Sequence, residues 1–176
     1  YIYLSLTILC TLAYWSAGMS GFDAICHAFS TIAIGGFSTH DASMGYFNSS
    51  TINFVCVFFL IIAGVNFALH YAVIQSKSLK NYIHDPEFRV FIAIQVVLTL
   101  LCFVVLVSHG TYQNSDQAFE QALFHSVSIS TTAGFTATPV NTIPFSAWPT
   151  LLPLLLVFAS FIGGCAGSTG GGMKVV

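Results

Sequence analysis

The segment from His27 to Phe37 returns 98 positions later, from His125 to Phe135, and this duplication restricts the fold more than any other feature of the chain. Superposing the copies places Ala24 on Ala122, His27 on His125, Ser30 on Ser128, Gly36 on Gly134 and Phe37 on Phe135. In each copy a mildly apolar run of about three helical turns leads into a small-residue stretch ending in Gly-Phe, and a polar, turn-rich stretch follows. Apolar runs flank both copies on both sides. A short helix and loop dipping between two crossing helices is the layout of a pore loop. The chain therefore reads as two pore-forming units in tandem.

Composition decides whether those flanking runs cross a bilayer. Hydrophobic residues make up 56% of the chain and charged residues 6%, with a mean hydropathy of +0.84, whereas soluble domains carry roughly 25% charge. An integral membrane protein is expected. Uncharged runs at 1–17, 52–74 and 90–107 are predicted as three crossings, the first a little short of the roughly 20 residues a span needs. A fourth run starts at Ala147, breaks in the glycine-rich stretch 163–172, and resumes at Met173. Lys77, Lys80 and Arg89 lie between the second and third spans and Lys174 follows the fourth. One orientation puts all four on the cytoplasmic side, as the positive-inside bias requires. Asp23, Asp41, Asp116 and Glu120 then face outward, and the segments 22–40 and 118–138 open to the exterior. The chain opens on Tyr1 inside an apolar run, with no basic leader region, so it is expected to be an internal piece of a longer protein. Cys10, Cys26, Cys56, Cys102 and Cys165 show no paired spacing and read as small apolar residues.

With span, pore loop and span in each, the units run parallel about an axis along the membrane normal; inverted repeats need an odd number of crossings per unit. The predicted fold is an all-α membrane protein of tandem parallel repeats, similar to a potassium channel. Residues 1–76 form the first unit with a filter at 33–37. Residues 77–89 form a cytoplasmic linker, and 90–176 the second unit with a filter at 131–135.

The chemistry of the loops follows from the bilayer. Non-helical backbone at membrane depth is tolerated only where protein or a watery cavity covers it. Carbonyls turn toward one axis if alternate residues take unusual dihedrals, and glycine reaches positive φ without a Cβ clash, which gives Gly36 and Gly134 a physical task. Stacked carbonyls replace the water shell of a dehydrated monovalent cation. The helices at 22–32 and 118–130 aim their negative C-terminal ends inward, which favours a cation. His27 and His125, midway along those helices, read as structural hydrogen-bonding groups rather than a proton relay. Asp23 and Glu120 read as partners of the helix dipole. A membrane-embedded enzyme is the rival from another class; it would want a His, Asp or Glu pair inside the spans, and His70 alone lies deep in one.

Two tandem units, filters ending in Gly-Phe, and the run from Phe161 to Lys174 resemble the Trk/Ktr/HKT superfamily of potassium transporters over essentially the whole chain. The resemblance implies four such units in one polypeptide around a pseudo-fourfold pore, of which these match the second and third. It implies transport of potassium across the bacterial inner membrane by a multi-pass protein, with no cofactor and no nucleic acid partner. Implied partners are membrane lipid, the remaining two pore units, a second copy in a homodimer, and a cytosolic nucleotide-binding regulatory subunit (TrkA-like). It assigns the potassium path to the carbonyls of Ala33, Ile34, Gly35, Gly36, Thr131, Thr132, Ala133 and Gly134. Some plant relatives that carry sodium have serine at the filter glycine; neither copy here does, and a sodium-selective or sodium-coupled member is the alternative. The first copy departs from the commoner Thr-Thr-Ala-Gly-Phe by reading Ala33-Ile-Gly-Gly-Phe37, which main-chain ligands tolerate.

Six glycines between 163 and 172, at about 1 kcal/mol each relative to alanine, are incompatible with an uninterrupted helix. The run does not match a nucleotide-binding P-loop. A close-packed kink is one reading. The resemblance implies the other, a flexible intramembrane gate beneath the filter comprising Gly163, Gly164, Gly167, Ser168, Thr169, Gly170, Gly171 and Gly172. Lys174 belongs to that gate or snorkels toward the cytoplasmic surface.

Overall fold

Apolar helix formers without a proline or charge run from the first residues, and α1 (Ile2–Ser16) ends where Gly18 turns the chain at φ +107. Ser20 then caps α2 (Gly21–Ile32): its hydroxyl accepts the Asp23 N–H and donates to the Asp23 carboxylate, satisfying a helix N-terminus twice over. The computed structural model describes residues 1–138 and 143–175. After a 3-10 turn at Ser43–Phe47 come α3 (Ser50–Ala63), α4 (Phe67–Ser76) and α5 (Lys80–His84). The second half holds α6 (Pro86–Ser108), α7 (Ser115–Ser130), a 3-10 turn at Phe145–Ala147, and α8 (Leu151–Ile162). Asp85 caps α6 through the Phe88 N–H at 2.7 Å, with Pro86 in the first turn where its missing N–H costs nothing. All regular structure among the described residues is helical, and α1, α2, α3 correspond in order to α6, α7, α8.

α6 has 23 residues, its most apolar 18-residue window has a mean hydropathy of 3.1, and it is long enough to cross a bilayer; α1 and α8 are shorter apolar helices. The stretch 52–74, expected as one uninterrupted crossing, is instead two helices bent by 89° at residues 64–66. The carbonyls freed by that break find donors elsewhere. His70 Nε2 donates to Ile62 O at 2.9 Å while its Nδ1 accepts the Tyr82 hydroxyl at 2.7 Å. The Cys165 N–H takes Gly64 O at 2.8 Å, and Asn66 caps the new helix at Ala68 N. Thus His70 holds a broken helix together. The apolar run expected to resume at Met173 is not helical over 173–175.

One core joins the two units. Tyr14, Ile32, Met44 and Leu60 from the first are fully buried with Phe124 and Phe135 from the second. Leu106, Trp148, Leu152 and Leu156 form a second cluster between α6 and α8. Outward lie the apolar faces of α1 (Leu4, Ile8, Leu12), α6 (Val97, Leu100, Val104) and α8 (Leu154, Phe158, Phe161), a surface far more apolar than water tolerates on one molecule. Because Phe135 is fully enclosed, Phe135→Ala is expected to cost about 3–5 kcal/mol. A thermal melt of the full-length protein in detergent checks this.

Candidate ion pathway

Both Gly-Phe segments leave their helices in the same conformation. α2 ends at Ala33 and α7 at Thr131, each still right-handed, and the next residues, Ile34 and Thr132, have φ of +52 and +74. Gly36 and Gly134 follow with φ of +69 and +85. Positive φ therefore falls on every second residue, at matching positions of the repeat. For the β-branched Ile34 and Thr132 this is an outlier held by its surroundings. The N–H groups turn back into the helix ends: Ile34 to Thr31 O at 3.1 Å, Gly35 to Ser30 O at 2.7 Å, Thr132 to Ile129 O at 3.0 Å and Gly134 to Ser128 O at 3.1 Å. The carbonyls of 33–36 and 131–134 accept no hydrogen bond among the described residues. Bare main-chain oxygens are left over in both segments.

The two segments abut. A Cβ on Gly36 would lie 1.8 Å from the Ala133 carbonyl oxygen, so only glycine permits the approach. Beyond the glycines the copies diverge. Phe135 is 0% exposed and stacks on His27 of the first unit at 6.3 Å, whereas Phe37 is 82% exposed. Residues 136–138 seat against the 3-10 turn at 43–47, with Thr136 N donating to Ser43 Oγ and Gly45 N to Thr136 O.

The glycine-rich run lies under these segments and crosses from the second unit to the first. Thr169 Oγ1 donates to Ile32 O at 2.7 Å, at the end of α2. Gly171 N donates to Thr132 Oγ1 at 2.7 Å, and a Cβ on Gly170 would come within 3.0 Å of Thr131 O. Gly167 O receives the Phe67 N–H, closing the gap between α3 and α4. Lys174 Nζ bonds Gly170 O inside the loop, and Glu87 accepts the Ala166 N–H. The run is a loop with two sides of attachment.

A family model described as "TrkH: Cation transport protein" matches residues 1–176. This chain belongs to the TrkH family. It is 62% identical over 178 residues to a Trk system potassium uptake protein TrkH of Vibrio parahaemolyticus, covering 100% of this chain and 36% of that protein. Against the TrkH of Escherichia coli strain K12 the identity is 53% over 175 residues, covering 99% of this chain and 35% of that protein. The fold matches the crystal structure of the potassium transporter TrkH from Vibrio parahaemolyticus with a TM-score of 0.94 at 63% identity, over 99% of this chain and 37% of that one. The chain thus spans little more than a third of the length of these relatives.

Within this TrkH-family chain the two histidines play one part. His27 Nδ1 bonds Asp23 O at 2.8 Å and His125 Nδ1 bonds Gln121 O at 3.0 Å, each four residues back along its own helix. His27 also reaches Ser38 Oγ at 2.9 Å, tying α2 to the segment beyond the filter. Asp23 sits in the first turn of α2 as expected. Hydrogen bonds from Thr39 and Ser20 hold its carboxyl below the usual carboxylate range, with His40 at 3.2 Å contributing. Glu120 does not fit its expected place. The helix predicted from 118 starts at Ser115, so Asp116 occupies the first turn. Glu120 instead accepts Ser50 Oγ and Asn53 Nδ2, both at 2.7 Å, from α3 of the other unit. Sequence reasoning also missed Glu87 and Thr132 Oγ1 as anchors of the loop, because each partner lies more than 35 residues away.

Proposed function

We propose that this chain supplies two pore units, 1–76 and 90–176 joined by the linker 77–89, of a transporter that carries potassium across the bacterial inner membrane. The uncommitted carbonyls of Ala33, Ile34, Gly35 and Gly36, with those of Thr131, Thr132, Ala133 and Gly134, coordinate the ion. The observation that carries the reading is the paired alternation of φ together with the main-chain carbonyls of 33–36 and 131–134, which accept no hydrogen bond among the described residues and are free to face a cation. The potassium uptake names of the relatives support the choice of ion.

Two units do not close a ring. Phe135 of the second unit plugs into the first, and Val127, buried on the inner face of α7, matches the exposed Phe29 of α2. Phe37 and the face of α2 bearing Phe22, Ile25 and Phe29 therefore await a preceding unit, as a third and fourth repeat supply. A homodimer and a cytosolic nucleotide-binding regulatory subunit complete the assembly on this reading. The linker with Lys77, Lys80 and Arg89 faces the cytoplasm, and the filters open outward.

The loop 163–172, with Lys174, is the gate, held shut in part by the Thr132 hydroxyl. Thr132→Val keeps the shape and the filter carbonyl but removes the acceptor of the Gly171 N–H, at about 0.5–1.5 kcal/mol against the closed loop. Basal rubidium influx through the full-length protein is expected to rise about tenfold in Thr132→Val and to stay at the wild-type level in Thr132→Ser. Equal influx in all three would detach the loop from gating. Rubidium uptake in proteoliposomes also tests the ion: competition by sodium as strong as by potassium would favour the sodium-selective alternative.

A further inference from the structure

Between α3 of the first unit and α7 of the second, away from both filters, lies a cavity of about 110 Å³ lined by Ser50, Asn53, Glu120 and Gln121 among others. Among its lining side chains, Glu120, Asn53 and Gln121 carry oxygens that can only accept. Each oxygen of the Glu120 carboxylate takes one donor, from Ser50 Oγ and from Asn53 Nδ2. That bond sets the Asn53 amide, because a carboxylate only accepts, and leaves Oδ1 without a partner. Gln121 Nε2 donates to the Ala137 carbonyl at 3.2 Å, which sets the second amide and leaves its Oε1 without a partner too. Asn53 and Gln121 are 5% and 6% exposed, so bulk water does not satisfy them.

The repeat shows why Gln121 has an oxygen to spare. Its partner Ala137 occupies the position of Thr39, and Gln121 that of Asp23, so the same tie from pore helix to post-filter segment is made in both units. In the first unit a carboxylate accepts from a hydroxyl. In the second an amide donates to a carbonyl, and one acceptor is left over.

No basic side chain balances the carboxylate. The four Lys and Arg residues are Lys77, Lys80, Arg89 and Lys174, all in the linker or beside the loop at the opposite end of the fold. The described residues contain no cluster of three His, Cys, Asp or Glu, so a transition-metal site is not at hand. One carboxylate with two neutral amide oxygens is a hard, singly charged donor set. We propose that this cavity binds one partly hydrated alkali-metal cation, which bridges the outer halves of α3 and α7 and fastens the two pore units together. The volume admits such an ion with a few waters.

The test is the melting temperature of the purified full-length protein, titrated with NaCl or KCl at constant ionic strength against choline chloride. A saturable rise is expected, of which this cavity contributes about 3 °C, and Glu120→Gln should abolish that contribution. Ions held in the filter raise the melting temperature as well, but that component survives Glu120→Gln, so the part lost in the variant reports this cavity alone. Glu120→Gln also weakens the bonds to Ser50 and Asn53; if it does not fold, Gln121→Met, which leaves the carboxylate in place, should shift the titration midpoint upward by about tenfold. A melting temperature equal in choline, sodium and potassium means that water fills the cavity, and overturns the proposal. So does a titration unchanged by either variant. Preference between sodium and potassium follows from the two midpoints.

Discussion

Gly36→Ser is expected to abolish rubidium uptake by the full-length transporter, by about a hundredfold or more. A side chain there starts 1.8 Å from the Ala133 carbonyl oxygen and 2.8 Å from its carbon, and the obstacle is main chain. Relief requires the second filter to move as a whole, and that displaces the oxygens that are to hold the ion. The backbone at φ +69 adds a penalty of about 1–2 kcal/mol for any side chain. Gly134 makes the comparison informative, because a Cβ on it meets no atom of this chain within 4 Å. If a further unit stands where the repeat places it, Gly134→Ser is as damaging as Gly36→Ser. Near-normal uptake in Gly134→Ser would mean that its side faces open water. Wild-type uptake and ion preference in Gly36→Ser would remove the filter assignment altogether.

Deletion of residues 168–170 should have the opposite sign. Basal rubidium influx is expected to rise at least about tenfold, because that piece carries the Thr169 bonds to Ile32 O and Ala63 O and the Lys174 bond to Gly170 O. Two or three hydrogen bonds at about 0.5–1.5 kcal/mol each come to about 1–4.5 kcal/mol, and over most of that range exceed the roughly 1.4 kcal/mol that shifts the closed and open populations by a factor of ten. Influx is measured against equal amounts of protein in the membrane. A variant that reaches the membrane yet conducts no more than the wild type would make 163–172 a packing element. Thr132→Val separates the two cases further, since it removes one bond from the filter side and leaves the loop its full length.

The four apolar runs and the two helices that stop short at Gly-Phe were legible because their causes are local. Uncharged stretches and glycines that tolerate positive φ are both properties of neighbours in sequence. The glycine-rich break after α8 was legible for the same reason. The bend of 89° between α3 and α4 was not. A single Gly64 inside a long apolar run looks like a tolerated helix residue, and the groups that take the freed backbone, Cys165 N and Thr169, come from a loop 100 residues further on. Ile34 and Thr132 are equally opaque, since no local preference puts a β-branched residue at positive φ.

Sequence alone determined that two like units cross an apolar medium and that each carries a glycine-tipped loop, because hydropathy, capping and glycine's freedom act within a turn or two of chain. Only the tertiary structure decided what each copy of a repeated residue does. Phe37 is bare while Phe135 is enclosed, Glu120 faces a neighbouring helix while its counterpart Phe22 is exposed, and one loop reaches back to close a break in another unit's helix. Equivalent positions acquire different roles because burial and hydrogen-bond partners are set by the unit that stands alongside, and the order of residues along one unit does not encode its neighbour.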